Sequence, residues 1–261
     1  MARTQLAPEE HASQVAQLAA DGSAAIVEYV HSLPAEDRLD AVRAVQKSLF
    51  VLAGEGAGLD IYVETMRALI DRGVGGLAQP GTNDEDDRVL NSYNAISYNF
   101  SADLADCWPG DSVTRRPHHF EAGLKAAEDC VRWRNELNKP PRAFSLAYWA
   151  KGFHLLALGH ASGAVKSFNL SLAFALRDAQ DKGQLGPISH DSTFDVLITS
   201  AFLGIAELAE GNPDGVKRYR EAMDAFHEQL RLAEATGDSE AKEDAEIGIG
   251  QLELAKMKYA P

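Results

Sequence analysis

The sequence predicts an all-α protein. Apolar residues recur at intervals of three and four along almost the whole chain, which is the pattern of one buried face on an amphipathic helix. No stretch combines sustained alternation of apolar and polar residues with β-branched enrichment, the pattern of a half-buried strand. Hydrophobic residues make up 45% of the 261, so the chain can bury a large core. We therefore expect a folded, helical protein.

Three helices are predicted in the N-terminal third. The first ends before Pro34, the second begins after it, and the third lies between glycine clusters at 54–58 and 73–76. Glycine clusters supply the turns and left-handed caps at which helices end. The apolar faces of these helices contain Ile26, Val27, Val30 and Leu33, then Leu39, Val42, Val45, Leu49 and Leu52, and finally Ile61, Tyr62, Met66, Leu69 and Ile70.

The strongest break in this pattern lies at 73–87. The segment holds four glycines, Pro80 and the acidic run 84–87, features typical of a domain boundary or a mobile loop. Thr82 precedes Glu85 by three residues, which predicts a capping box at a helix start. We therefore predict an N-terminal helical region, 1–78, and a helical repeat region, 83–261, with one continuous domain as the alternative.

Seven helices are predicted in the second region. Their approximate ranges are 89–107 with 117–138, 144–158 with 161–180, 192–210 with 213–236, and a closing helix at 240–258. Ser192 with Asp195 is a second start signal, ahead of the helix that begins near 192. Short connections between consecutive helices favour antiparallel hairpins.

One hairpin carries the spacing of a known repeat. At 145–178 the positions of the tetratricopeptide repeat (TPR) pattern are taken by Tyr148, Gly152, Leu155, Gly159, Ala164, Phe168 and Ser171. This segment resembles a TPR helical hairpin. Weaker copies contain Leu203, Gly204, Gly211, Val216 and Met223, and then Ile247 and Gly248. Gly152 and Gly204 are 52 residues apart, more than the family's unit of about 34, so the chain is TPR-like rather than a regular array.

The resemblance implies an α-α superhelix of antiparallel hairpins, preceded by the N-terminal helices. In TPR proteins the first helix of each hairpin lines a concave surface that holds the ligand. The partner-binding positions that the resemblance implies here are Leu146, Trp149, Phe153 and Leu156, then Ile198 and Ile205, and in a degenerate earlier hairpin Asn91, Asn94 and Tyr98. The groove is therefore expected to be largely apolar, with a polar end that can hydrogen-bond a peptide backbone.

An apolar groove of this length needs a cover, because a large exposed apolar patch is an aggregation liability. The sequence leaves two possibilities for what packs against this groove. The N-terminal helices or a second copy of the chain, as a homodimer, could pack there. Alternatively, the groove binds a partner's amphipathic helix or an apolar ligand.

The sequence contains no strong catalytic or metal-binding motif. GxxxxGK[ST], a strand-anchored GxGxxG and GxSxG are all missing. His118, His119 and Glu121 form the densest group of metal-ligand types, but adjacent histidines on a helix diverge by about 100°. We therefore predict a plain helix start after Pro117, and neither a metal nor a cofactor. The two cysteines, Cys107 and Cys130, are predicted to be small core residues in helices.

Charge and hydropathy restrict the partners. The chain has 25 Lys plus Arg against 39 Asp plus Glu, a net charge of −14, which argues against DNA. Its longest uncharged apolar run, 196–206, is much shorter than the roughly 20 residues of a spanning helix, and no secretory signal is evident.

The leading prediction is a cytoplasmic TPR-like scaffold or adaptor, without enzymatic activity, that binds a protein or peptide segment in the apolar groove. The alternative is a ligand-sensing regulatory domain for a short peptide or small molecule.

Overall fold

The computed structural model describes residues 8–54, 58–79, 81–184 and 186–260. These residues contain no β-strand, and the predicted all-α class is confirmed. Within them the chain forms eleven α-helices: α1 (Pro8–Leu18), α2 (Ser23–Ser32), α3 (Ala35–Leu52), α4 (Leu59–Val74), α5 (Asp84–Asp103), α6 (Pro117–Glu136), α7 (Pro141–Ala157), α8 (Ala161–Asp181), α9 (Phe194–Glu210), α10 (Gly215–Thr236) and α11 (Ser239–Tyr259). None of the described helices is long and apolar enough to cross a membrane.

The start of α5 differs from the predicted capping box. The side chain of Asn83 caps the helix by accepting a hydrogen bond of 3.0 Å from the backbone N–H of Glu85. Thr82 instead donates its hydroxyl to the Gln79 carbonyl oxygen, one turn earlier in the chain. The capping prediction was therefore wrong by one residue, because either side chain can reach the first turn and the backbone path selects between them.

The end of α5 also differs from the prediction. The helix stops at Asp103, so Cys107 lies in the α5–α6 loop, where it is nonetheless fully buried. Two side chains bind the free carbonyl groups at the helix end in place of further helical turns. The indole N–H of Trp108 donates to the Ala102 carbonyl at 2.8 Å, and the Arg115 guanidinium donates to the Asp103 carbonyl at 2.6 Å.

Two apolar clusters hold the helices together. The first joins α1 to α5 around fully buried residues such as Tyr62 and Phe100. The second joins α6 to α11 around Phe153 and Phe202. Helix α6 contributes to both clusters, with Trp133 on the first and other side chains on the second. The division of the chain between residues 78 and 83 stays a prediction.

The repeat glycines lie where consecutive helices cross. A Cβ atom on Gly152 would come within 2.8 Å of the Phe168 ring in the next helix. On Gly204 it would come within 2.7 Å of the Gly215 carbonyl oxygen and 2.8 Å of the Tyr219 backbone nitrogen. Helices α7 and α8, and likewise α9 and α10, therefore approach more closely than a residue with a side chain would allow. This is the packing that the repeat spacing predicts.

The last helix returns to the α5–α6 loop. Near its C-terminus, Lys258 Nζ donates to Asp106 Oδ2 at 2.9 Å, and the Tyr259 hydroxyl donates to Asp106 Oδ1 at 2.5 Å. About two turns earlier in α11, Gly250 lies against Pro109, which a Cβ atom would approach within 2.7 Å. Helix α11 thereby joins α5, α7 and α9 at one shared face.

Candidate binding site

A cavity of about 230 Å³ lies where α5, α7, α9 and α11 meet, and we call it the inner cavity. Four of the nine partner-binding residues expected from the sequence line it: Tyr98, Leu146, Trp149 and Ile198. The other lining residues are Trp108, Ser145, Phe194, Asp195, Thr199, Ile247 and Gln251. The TPR resemblance selected these four positions, and tertiary packing brings them together around one space.

Three of the other expected residues lie below this surface. Phe153 is 0% exposed, and Leu156 and Ile205 are also buried in the second apolar cluster. The Phe153 ring packs edge-on against Tyr259 of α11, with ring centroids 5.9 Å apart, and against Phe202 of α9, at 6.0 Å. Part of the expected groove is thus covered by the C-terminal helix, a cover that the sequence did not suggest.

The polar residues of α5 have separate positions. Asn91 is exposed. Asn94 is 4% exposed, and its amide is engaged on both sides: Nδ2 donates to the Cys130 carbonyl at 3.2 Å, and Oδ1 accepts from Arg134 Nε at 3.0 Å. The Arg134 guanidinium also lies 5.1 Å from the centre of the Tyr98 ring, a cation–π distance. Asn94 therefore holds α5 against α6.

The inner cavity has apolar walls, and three of its lining side chains carry polar groups without a hydrogen-bond partner among the described residues: Tyr98, Gln251 and Trp149, whose indole N–H is buried. Gln251 is 2% exposed, yet neither group of its amide has a hydrogen-bond partner among the described residues. The Tyr98 hydroxyl has none there either, and burial raises the pKa of Tyr98 to about 12, so the hydroxyl keeps its proton at neutral pH. An apolar pocket with a few convergent polar groups is typical of a small-ligand site.

Other polar side chains of the lining form hydrogen bonds within the protein. Asp195 accepts from Arg142 Nε at 2.7 Å. Behind the wall, the Ser171 hydroxyl donates to the Ser145 carbonyl at 2.7 Å and lies 3.3 Å from the Thr199 hydroxyl. A ligand in the cavity can therefore form hydrogen bonds with the Tyr98 hydroxyl and the Gln251 amide.

Seven lining residues of the inner cavity were not among the expected partner-binding positions, and Gln251 and Trp108 illustrate why. Gln251 lies four residues after Ile247 on α11, so a helical projection of the predicted last helix would have placed them on one face. Trp108 directly follows a predicted helix, and only its contact with Trp149, with ring centroids 6.2 Å apart, shows that it reaches the cavity.

A second opening of about 660 Å³ lies between α3 and α5, and we call it the α3–α5 cleft. It shares Tyr98 and Trp108 with the inner cavity, so these two aromatic side chains separate the openings. The other lining residues are Arg43, Gln46, Lys47, Phe50, Val51, Ala95, Ile96, Asn99, Ala102 and Asp103.

Two adjacent histidines converge on an aspartate that the sequence analysis did not pair with them. His118 Nε2 and His119 Nε2 each lie 2.8 Å from Asp60 Oδ1, and their rings are 4.1 Å apart. The expectation that the two side chains diverge was wrong here. Asp60 comes from the first turn of α4, 58 residues before His118, so no local pattern connects them.

Hydrogen bonding within this cluster opposes a metal site. His119 Nδ1 accepts the Arg116 backbone N–H at 3.0 Å, so the proton of the neutral ring lies on Nε2 and is donated to Asp60. A metal needs a nitrogen without a proton. The Arg116 guanidinium contacts the other oxygen of Asp60. Hydrogen bonds from His119, His118 and Arg116 hold the pKa of Asp60 well below its usual range. The cluster therefore acts as a clamp between α4 and α6.

Comparisons of the chain with protein-family models, with curated proteins and with solved structures find no match.

Proposed function

We propose that this chain is a non-catalytic, TPR-like binding protein that takes a small, mainly apolar group into the inner cavity. The observation that carries this proposal is the convergence of Tyr98, Leu146, Trp149 and Ile198 on one apolar space. The chemistry of that space supports it, because the free Tyr98 hydroxyl and Gln251 amide can orient a bound group.

Burial favours a small occupant over a partner's helix. A helix laid into the groove would anchor on Trp149 and Phe153, but these side chains are 6% and 0% exposed. A single side chain or a small molecule needs only the cavity itself. These observations favour the ligand-sensing alternative over the adaptor that binds a long segment. Because the ligand would contact α5, α7, α9 and α11 together, its binding would bias how these helices pack.

The size of the cavity limits the ligand. An apolar cavity of about 150 Å³ binds benzene, so 230 Å³ is enough for one ring with a small substituent. Burying about 150 Å² of apolar surface is worth about 4 kcal/mol, and the loss of translational and rotational freedom on association opposes it, so apolar contact alone gives only weak binding. Two hydrogen bonds of about 1 kcal/mol each would strengthen binding roughly thirty-fold.

The test uses ring probes of matched size. We expect benzamide, whose amide complements Gln251, to bind more tightly than toluene in ligand-observed NMR, and to raise the melting temperature at millimolar concentration. N-acetylphenylalaninamide tests whether the natural group is a peptide side chain. Tighter binding of this capped residue than of benzamide indicates a peptide, and the reverse order indicates a free small molecule.

A cavity-filling variant locates the site. Leu146→Trp places a larger side chain in the inner cavity and should abolish binding of the probes while the protein stays folded by circular dichroism. Leu155→Trp is the matched control, because Leu155 lies on the same helix but does not line the cavity. Wild-type protein that binds no ring probe, or a Leu146→Trp variant that binds as well as wild type, would refute the proposal.

A further inference from the structure

The α3–α5 cleft contains a carboxylate with one free oxygen. Asp103 Oδ2 accepts two hydrogen bonds, from the Tyr62 hydroxyl at 2.5 Å and from Gln46 Nε2 at 3.2 Å. Asp103 Oδ1 has neither a hydrogen-bond partner nor an ion pair within the part of the chain that the structure describes. Since Asp103 lines the cleft, a ligand in the cleft can reach this oxygen.

The Arg115 guanidinium lies close to Asp103 but forms no ion pair with its carboxylate. The Arg115 guanidinium donates to the Asp103 backbone carbonyl at 2.6 Å, to Asp111 Oδ2 at 2.6 Å and to the Val113 carbonyl at 2.8 Å. Its ion pair is therefore with Asp111. Burial raises the pKa of Asp103, and the hydrogen bonds from Tyr62 and Gln46 and the charge of Arg115 offset only part of this shift. A cation that binds in the cleft would stabilise the charged form of Asp103.

The walls of the cleft suit an organic cation. Phe50, Tyr98 and Trp108 line the space beside Asp103. Aromatic faces attract cations, and their area also accepts an apolar group. An inorganic divalent cation suits the site poorly, because calcium takes six to eight oxygen ligands and one carboxylate oxygen is free here.

Two cations of the protein lie at the rim. Arg43 forms an ion pair with Asp40 at 2.8 Å. Lys47 is exposed and has no ion pair among the described residues. A long lysine side chain at the surface keeps its charged end in water. Neither side chain therefore occupies the free oxygen of Asp103.

We propose that the α3–α5 cleft is a second binding site, which holds an organic ammonium ion with its charged group on Asp103 Oδ1 and its apolar body against Phe50, Tyr98 and Trp108. The cleft volume of about 660 Å³ lies within the range of about 300 to 1,000 Å³ for small-molecule sites. This site shares the Tyr98 and Trp108 side chains with the inner cavity, but its anionic group, Asp103, lines only the cleft.

The test separates charge from shape. Phenethylammonium and 2-phenylethanol have the same ring and chain length, but only the amine carries a charge. By titration calorimetry at pH 7.5, we expect the full chain to bind the amine at least ten-fold more tightly than the alcohol. In Asp103→Asn this preference should disappear, while the alcohol binds as it does to wild type.

Two control variants distinguish this site from general electrostatic attraction and from the inner cavity. The chain's net charge of −14 attracts any cation, so Asp181→Asn, which removes an exposed carboxylate on α8, should keep the preference for the amine. Leu146→Trp should also keep it, because Leu146 lines only the inner cavity. Equal affinity of wild type for amine and alcohol, or an amine preference that survives in folded Asp103→Asn, would overturn the proposal.

The pH dependence gives a second readout. The ammonium ion binds the charged form of Asp103, whose pKa is raised, so affinity should increase as pH rises through that pKa, and binding at lower pH should release a proton. The groups that face Asp103 are Tyr62, Gln46, Arg115, Asp111 and, at the rim, Arg43 and Lys47.

If Asp103→Asn fails to fold, Tyr62→Phe tests the same site. It removes a donor that stabilises the carboxylate, and should therefore shift the pH midpoint of amine binding upward. An unshifted midpoint in Tyr62→Phe would also contradict the proposal.

Discussion

The close contact at Gly204 gives the sharpest test of the hairpin packing. An alanine Cβ at this position would lie 2.7 Å from the Gly215 carbonyl oxygen and 2.8 Å from the Tyr219 backbone nitrogen. Both obstacles are backbone atoms of the α9–α10 hairpin, so no side-chain rotation can make room. In Gly204→Ala the two helices must therefore move apart.

The size of the effect follows from two opposing terms. Alanine is favoured over glycine in a helix by about 1 kcal/mol. Overpacking in a well-packed interior costs about 1 to 3 kcal/mol. Because the contacting atoms here are backbone atoms, we expect a cost of about 3 kcal/mol or more for Gly204→Ala. We expect Gly204→Ala to lose about 2 kcal/mol of unfolding free energy. For a chain of this size that lowers the melting temperature by about 4 to 8 °C.

A matched glycine gives the opposite expectation. On Gly163 in α8, a Cβ would lie 3.4 Å from the end of the Leu155 side chain, which can move. Gly163→Ala should therefore gain up to about 1 kcal/mol from helix propensity. For Gly152→Ala we expect a change in unfolding free energy between those of the other two variants. The new Cβ would contact the Phe168 ring, which is a side chain and not backbone. Calorimetric melting of all three variants is the assay. If Gly204→Ala melts at or above wild type, α9 and α10 do not make this contact and the hairpin interpretation is wrong.

Three further predictions concern buried and clustered groups. The double variant Trp149→Glu with Phe153→Glu should unfold, since both side chains lie in the interior; retained helicity by circular dichroism would show an open groove instead. Burial lowers the pKa of His154 from 6.5 to about 4, so the folded state takes up its proton at lower pH than the unfolded state, and stability falls as pH decreases from 6.5 towards 4. The difference corresponds to about 3 kcal/mol, measurable by urea unfolding at pH 7 and 4.5, and His154→Gln should flatten the dependence. At the Asp60 cluster, added zinc should leave the wild-type melting temperature unchanged, whereas Asp60→Asn should lower it slightly; a zinc-dependent rise would show that His119 changes tautomer to bind metal.

Local sequence patterns do not fully predict where helices end. The apolar residues Leu104 and Ala105 continue the pattern of α5, so the sequence predicts a helix that runs to about 107. The structure ends it at Asp103 because Trp108 and Arg115 take the last carbonyl groups. Whether those side chains can fold back depends on the α5–α6 loop, which periodicity does not describe.

The same limit applies to the proposed sites. The TPR resemblance was enough to select Tyr98 and Trp149, which both line the inner cavity. It could not show that Tyr259, 106 residues after Phe153, would cover that part of the face. Nor could it connect the Asp103 carboxylate to its partner Tyr62, which lies 41 residues away.

The sequence by itself determined the all-α class, most helix positions and the faces that turn inward, because a period of 3.6 residues is a local property of the chain. Tertiary structure alone decided which faces meet, which distant side chains form hydrogen bonds, and where cavities remain. Those outcomes depend on how all the helices pack together. Protein interiors are close-packed, so a cavity remains only where the side chains of the surrounding helices together do not fill the space.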